Sequence, residues 1–182
     1  MLELLNVDKS FGALHVTRDV SLSVSAGQCH ALIGPNGAGK TTLIHQVSGV
    51  LTPDSGSILL DGQDLLPLSL HQRTHAGLSR TFQITSVLPS FSVLENVAIA
   101  VQAKSGTSMR FFAPAADEVA VNDRAMDILD QVGLADRAGT LAADMSHGEL
   151  RLAELALALA GDPKFLLLDE PMAGLGHQES AR

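Results

Sequence analysis

The residues most able to do chemistry lie in the stretch GPNGAGKTT, residues 34–42. This stretch matches the pattern G-x-x-x-x-G-K-[ST] through Thr41, in which glycines let backbone N–H groups turn inward around phosphate oxygens. The apolar run CHALI, residues 29–33, predicts a buried parallel strand before it, and the spacing after it predicts a helix that begins near Lys40 and stops at Gly49. The motif therefore has the strand and helix that it requires; the alternative is a glycine-rich turn with a chance lysine.

The loop offers both backbone and side-chain ligands. Lys40 would reach the β- and γ-phosphates of a nucleotide, and the Thr41 hydroxyl would bind Mg²⁺. The N-terminus of the following helix adds a favourable partial positive charge. The residues predicted to hold the nucleotide here are Gly34, Pro35, Asn36, Gly37, Ala38, Gly39, Lys40, Thr41 and Thr42.

A pair of carboxylates follows the apolar run FLLLD, residues 165–169, which predicts a second buried strand. Ligands of open α/β sheets bind at such strand ends. Asp169 is therefore the candidate second ligand of Mg²⁺, and Glu170 is the candidate base that orients a water molecule. The alternative for this pair is a solvated acidic loop.

Composition narrows the class of protein. The 182 residues, 46% of them hydrophobic, suit one domain with a proper core. The 20 acidic and 12 basic residues give a net charge of -8, which argues against a nucleic-acid partner. The single cysteine, the lack of a leader-like segment and the shortness of the apolar runs predict a cytoplasmic chain that meets a membrane only through partners.

The remaining pattern separates strand-like from helical regions. LELLNVDKSFG and VSLSVSAG alternate apolar and polar residues, which predicts an antiparallel sheet near the N-terminus, and GSILLDGQDL predicts a short strand with its own Asp-Gly turn. Residues 90–160 carry alanine, methionine and charges at helical spacing and predict a helical insert. Ser92 and Glu95 have the spacing of a capping box at its start.

These motifs together resemble the ATP-binding subunit of ABC transporters across essentially the whole chain. The resemblance implies an α/β fold of the P-loop NTPase type, with a RecA-like core, an N-terminal antiparallel β-subdomain and an inserted α-helical subdomain. Residues 1–182 would form one such domain, C-terminally incomplete, with core and β-subdomain at 1–89 and 161–182 and the helical subdomain at 90–160. The cofactors implied are ATP and Mg²⁺.

The resemblance gives further residues a role. Phe11, in KSFGAL, falls where these subunits carry the aromatic residue that stacks on adenine, although a core phenylalanine is the alternative. Gln83, in RTFQ, matches the glutamine that reaches the metal and lies next to the contact with the membrane subunit; the alternative is a surface glutamine. By this match Gln83 joins Thr41 and Asp169 at the metal and Glu170 in catalysis.

MSHGE, residues 145–149, occupies the position that the family usually fills with LSGGQ. In the family two subunits enclose two ATP molecules, so Ser146 and the Gly148 N–H would face the γ-phosphate bound by a second subunit. His147 and Glu149 depart from the usual residues, and a carboxylate near a triphosphate would repel it. The spacing from Ser146 to Glu149 predicts a capping box that turns the carboxylate away, and we expect the site to remain competent.

The chain, which ends at Arg182, lacks the later strand whose histidine contacts the γ-phosphate in similar subunits, and His177 lies too close to Glu170 for that role. The expectation is a truncated or shortened subunit. The stretch RTFQITSVLPSFSVLENV is similar to ATPases of branched-chain amino acid, amide and urea uptake. The leading interpretation is an ATPase on the inner face of the membrane that powers an importer, in partnership with permease subunits and a second ATP-binding subunit.

A nucleotide-responsive but catalytically silent module is the alternative function. A third class, the ABC-type ATPases of DNA repair or chromosome structure, carries long coiled coils or zinc modules between the corresponding glutamine and signature. The interval from Gln83 to Ser146 has neither heptads nor cysteine pairs, which disfavours that class.

Overall fold

The computed structural model describes residues 1–81, 87–105 and 119–168. The chain divides into two compact units: Met1–Arg80 with Lys164–Leu167, and Thr81–Pro163 with Leu168–Arg182. The first unit contains β1 (Leu2–Phe11), β2 (Leu14–Val24), α1 (Lys40–Ser48), β3 (Ser55–Leu60), β4 (Gln63–Asp64), α2 (Leu70–Ala76), β5 (Leu78–Arg80) and β6 (Phe165–Leu167). The second contains α3 (Val93–Ser105), α4 (Val119–Gln131), α5 (His147–Ala160) and two short 3₁₀ turns (Ala135–Arg137 and Ala142–Asp144).

A four-stranded antiparallel sheet with the order β2-β1-β3-β4 begins the first unit and confirms the predicted N-terminal sheet. Alternate residues of β1 and β3 point into its core, where Leu4, Val7 and Ile58 are almost completely buried. Leu4 pairs with Leu22 on one side and with Ile58 on the other. Leu2 and Leu4 in β1, and Ile58 and Leu60 in β3, follow the period of two that the sequence displayed, whereas a register shift between Leu4 and Val7 interrupts it in β1.

Helix α1 begins at Lys40 and is followed by Gly49, as predicted. Gly49 adopts a left-handed conformation with φ of 88°, and its N–H donates to the carbonyls of His45 and Gln46. Leu43 and Val47 are buried in the same core as the sheet. The helix therefore ends in a glycine cap and packs through one apolar face.

The segment CHALI is where the sequence prediction is wrong. Residues 29–33 form no strand, and Leu32 and Ile33 are exposed by 47% and 87%. A parallel strand needs hydrogen-bonded neighbours, and within the described ranges no strand pairs with these residues. The apolar composition of residues 29–33 predicted a buried strand, but without a paired strand beside it the segment is exposed.

A short parallel pair forms from β5 and β6, in which Leu78 lies beside Phe165 and Arg80 beside Leu167. This pair confirms a parallel strand within the run FLLLD. The residues of β6 are only half-buried, rather than buried as predicted, because β5 is its one sheet neighbour in the described part of the chain.

The second unit is helical within its described residues. Helices α3, α4 and α5 share an apolar core that includes Val97, Ile128, Leu129 and Ala156, each almost completely buried. Ser92 and Glu95 form the predicted capping interactions: the Glu95 carboxylate accepts from the Ser92 N–H at 2.7 Å, and the Ser92 hydroxyl accepts from the Glu95 N–H at 3.2 Å. These bonds satisfy donors that the start of α3 would otherwise leave unpaired.

No helix in the described residues of either unit has the length and apolarity needed to cross a membrane.

We expect Gly49→Ala to destabilise the first unit more than Gly62→Ala. Both glycines have positive φ, 88° and 81°, which costs alanine about 1–2 kcal/mol. A Cβ at Gly49 would lie 2.7 Å from Arg73 Nε, whereas one at Gly62 would meet nothing within 4 Å. Displacing the buried Arg73 adds about 1–3 kcal/mol for each buried carbonyl left unpaired. Urea unfolding measures both variants, and equal losses of unfolding free energy would show that Arg73 moves aside without cost.

Candidate functional site

The glycine-rich loop wraps closely around the start of α1. Gly39, the residue before the helix, has φ of 86°, and a Cβ there would lie 2.8 Å from the Val16 carbonyl oxygen of β2. The Ala38 N–H donates to the Pro35 carbonyl at 3.2 Å, which tightens the turn. Because the loop lies against β2, only glycine satisfies both the backbone angle and the space at residue 39.

Lys40 places its ammonium group at this loop. Its Nζ donates to the carbonyl oxygens of Gly34 at 2.7 Å and Pro35 at 2.9 Å. An ammonium has three donors, so these two bonds leave a further donor for an anionic oxygen. The lysine thus lies across the loop, beside the N-terminal end of α1, where backbone N–H groups and the helix dipole also favour an anion.

Thr41 and Thr42 occupy the first turn of α1, which contains no acidic side chain. The hydroxyl of the exposed Thr41 is an oxygen donor of the kind that Mg²⁺ accepts, alongside water and phosphate oxygens. Within the described residues no group of three or more histidine, cysteine, aspartate or glutamate side chains could hold a metal. Mg²⁺ is usually held by one or two protein oxygens together with phosphate and water oxygens, and the Thr41 hydroxyl suits a site of that kind.

The other end of α1 is held by Arg73, which the sequence reasoning missed. The guanidinium is buried and donates to the carbonyls of Gln46 at 2.9 Å, Val47 at 2.8 Å and Leu68 at 3.2 Å. Burial lowers the pKa of Arg73, and the charge of Asp64 opposes that change. A cation that binds the last carbonyls of a helix stabilises its negative end.

No sequence signal singles out Arg73, because an arginine within a short helix is usually solvated. The glycine at position 49 is the one residue of this contact that the sequence pattern marks, because a Cβ there would lie 2.7 Å from Arg73 Nε. Gln46 adds a second anchor, since its buried Nε2 donates to the Thr17 hydroxyl of β2 at 3.1 Å. Helix α1 is thus fixed to α2 and β2 by side chains outside the phosphate motif.

Phe11, the last residue of β1, has 49% of its surface exposed, and Lys9 Nζ lies 5.7 Å from its ring centre. This exposure excludes the core alternative. An exposed ring face can stack on a flat heterocycle, and stacking of this kind is the role predicted for it.

The signature region forms the start of α5 and contains the predicted capping box. The Ser146 hydroxyl accepts from the Glu149 N–H at 3.3 Å, and Glu149 Oε2 accepts from the Ser146 N–H at 2.8 Å. Ser146 and His147 are exposed, whereas Gly148 is buried. The carboxylate thus folds back on the helix start instead of projecting beyond it.

Glu149 also has a cationic partner that the sequence reasoning missed. Arg137 Nε donates to Glu149 Oε1 at 2.9 Å. Hydrogen bonds from the Ser146 backbone and side chain, followed by the charge of Arg137, lower the pKa of Glu149. The carboxylate is therefore ionised at neutral pH, where Arg137 balances its charge locally.

Three predicted site residues, Gln83, Asp169 and Glu170, lie outside the described residues. The structure places the P-loop residues from Gly34 to Thr42 together with Phe11 in the first unit, and Ser146 and Gly148 in the second. The glycine-rich loop and the helix after it are formed, whereas the strand expected before the loop at residues 29–33 is not.

Comparison with known proteins identifies this arrangement. The family model described as ABC transporter matches residues 17–173, most of the chain. The chain belongs to the ABC transporter family. The predicted fold class, that of an ABC-type P-loop cassette, is confirmed. Cassettes of this family bind ATP or ADP, are ATPases coupled to transport, and work as dimers with membrane permease subunits.

Similar proteins serve several transport systems. The lipopolysaccharide export ATP-binding protein LptB of Escherichia coli is 35% identical over 170 residues, which are 93% of this chain and 67% of LptB. The probable branched-chain amino acid transport protein LivG of Archaeoglobus fulgidus is 35% identical over 180 residues, 96% of this chain and 69% of LivG. The ribose import protein RbsA of Rhodococcus jostii is 32% identical over 182 residues, 100% of this chain and 35% of RbsA.

Among solved structures, MJ1267, an ATP-binding cassette of an ABC transporter, matches with a TM-score of 0.83 and 31% identity over 100% of this chain and 73% of that one. Its ADP conformation matches with a TM-score of 0.82 and 28% identity, covering 100% of this chain and 72% of that one. The prediction of an ATP-binding transporter subunit is confirmed at this level. The branched-chain amino acid branch is one possibility among those that the relatives represent.

Ser146→Ala should separate capping from a role in the site. Loss of the capping hydroxyl costs about 1 kcal/mol of stability, and Ser69→Ala, which breaks the matching capping box of α2, should cost the same. We expect only Ser146→Ala to lower ATP turnover, by about tenfold, because the role predicted for Ser146 is a hydrogen bond to a charged phosphate. Thermal melts and phosphate-release assays measure the two effects; similar turnover in both variants would leave Ser146 as a cap alone.

Proposed function

We propose that this chain binds and hydrolyses ATP as the motor subunit of a transporter. The observation that carries the proposal is the position of Lys40, whose ammonium group is held by the carbonyls of Gly34 and Pro35 beside the N-terminus of α1. Lysine, loop N–H groups and helix dipole act together on one anion, as a triphosphate requires. Phe11 supplies an exposed ring for the adenine base.

In this proposal, four residues bind Mg²⁺ or activate the water that hydrolyses ATP. We assign Thr41, Asp169 and Gln83 to Mg²⁺, which supplies neutralisation of the phosphate charge when it is bound. Glu170 accepts a hydrogen bond from the attacking water and orients it toward the γ-phosphate. As the water oxygen bonds to the γ-phosphorus, its proton passes to Glu170, the bond from that phosphorus to the β–γ bridging oxygen breaks, and ADP leaves with the bridging oxygen. The family match and the arrangement of Lys40 support these assignments.

A second subunit completes the site in this proposal. Ser146 and the Gly148 N–H, at the start of α5, contact the γ-phosphate held by the other subunit, so two ATP molecules lie between two cassettes. The chain has two kinds of partner in this proposal, a homologous cassette and a pair of permease subunits. The permease subunits hold the chain on the cytoplasmic face of the membrane. Ser146 and His147 are exposed at the start of α5, and a helix N-terminus favours an anion, which supports this role.

For the cargo, we propose import of branched-chain amino acids or related small amides. The segment RTFQITSVLPSFSVLENV and the 35% identity to LivG support this branch. LptB has the same identity, 35%, and is named for export of lipopolysaccharide, so the genes next to this one discriminate the two. Adjacent permease and periplasmic binding-protein genes support import; adjacent lipopolysaccharide export genes contradict it.

Glu170→Gln tests the hydrolytic role directly. We expect this variant to retain ATP binding and to lose phosphate release by at least about a hundredfold, because the water loses its general base. Lys40→Met, in contrast, should weaken ATP binding itself, and Lys104→Met should change neither, since Lys104 is an exposed lysine of α3. Calorimetry measures binding and a phosphate assay measures turnover.

Undiminished phosphate release in Glu170→Gln would contradict the assignment of Glu170. A parent chain that binds ATP but releases no phosphate, even with permease partners, would favour the catalytically silent module instead.

A further inference from the structure

We infer that Arg137 is a positioning residue of the signature, which holds the Glu149 carboxylate in its capping position and balances its charge where the ATP of a second subunit must approach. The inference rests on the proposed function, because it assumes that Ser146 and Gly148 face that ATP. Arg137 lies outside the signature motif, and the inference adds it to the residues that act at the γ-phosphate site.

Both carboxylate oxygens of Glu149 are held. Oε2 accepts from the Ser146 N–H at 2.8 Å, and Oε1 accepts from Arg137 Nε at 2.9 Å. A capping box alone uses one of these oxygens and leaves the other free to turn toward solvent. The second bond fixes the plane of the carboxylate, so the negative charge stays on the Arg137 side of the helix start.

The backbone that carries Arg137 is itself well anchored. The Arg137 N–H donates to the Leu134 carbonyl, and the Arg137 carbonyl accepts from the Thr140 N–H, both at 2.9 Å. Leu134 is 2% exposed, and the neighbouring Ala138 carbonyl accepts from the Leu94 N–H of α3 at 2.9 Å. Arg137 is therefore presented from a packed turn between α4 and α5, which fixes the backbone from which its guanidinium reaches Glu149.

The electrostatic need for such a partner follows from the sequence. Glu149 is the acidic residue in the first turn of α5, and its charge opposes binding of a triphosphate at that helix end. Arg137 supplies the compensating positive charge. The side chains of Arg137 and Glu149 are 44% and 27% exposed, so water and salt screen the pair and the effect on ATP affinity is a factor of a few.

The test is a double-mutant cycle on the full chain, read out as the ATP concentration that gives half-maximal phosphate release. Arg137→Ala should raise that concentration about threefold, because the carboxylate is left uncompensated. In a Glu149→Gln background the same Arg137→Ala change should have a clearly smaller effect, since no carboxylate remains for Arg137 to hold and balance. Arg137→Lys should restore part of the affinity, and added salt of about 1 M should reduce the difference between Arg137→Ala and the parent.

Arg124→Ala is the matched control, because it removes one exposed arginine from the same helical unit and should leave the half-maximal concentration unchanged. Thermal melts establish that each variant is folded. If Arg137→Ala matches the parent, or if it acts equally in the Glu149→Gln background, the inference is overturned while the ATPase proposal stands. A parent chain whose phosphate release does not depend on Lys40 overturns both.

Discussion

The fixed position of α1 is the constraint on which the rest of the first unit depends. The first turn of α1 contains no acidic side chain and Gly39 supplies no side-chain cap, which leaves this helix start open for the anion that we propose. The helix is instead stabilised at its other end, where Gly49 and Arg73 satisfy the last carbonyls. Stability is thereby supplied away from the phosphate, and the binding end remains open for its ligand.

Helix α5 differs from α1 in that its first turn contains an acidic side chain, Glu149. Its N-terminal end is capped by Ser146 and Glu149, which stabilises the helix but brings a negative charge close to the position assigned to a phosphate. The carboxylate bends back toward the Ser146 N–H and Arg137, which keeps its negative charge away from that position. A signature that departs from the usual sequence is thus compatible with the helix-end electrostatics on which the family relies.

The parts that could be predicted from sequence are those that local chemistry decides. The phosphate loop, both ends of α1, the capping boxes at Ser92 and Ser146 and the N-terminal sheet follow from residue type and spacing. Arg73 and Arg137 could not be predicted, because their partners lie far away in sequence and an isolated arginine carries no pattern. Residues 29–33 were misassigned because an apolar run specifies burial only when neighbouring strands pair with it.

The central claim, that the loop before α1 holds the phosphates of ATP, is tested most directly by backbone amide NMR during titration with Mg-ATP. The account predicts that the N–H resonances of Gly37, Gly39, Lys40 and Thr41 shift together and saturate with one dissociation constant, and that adenosine, which has no phosphates, leaves them in place. Resonances of these four amides that remain unmoved at saturating Mg-ATP, or that move equally with adenosine, would contradict it.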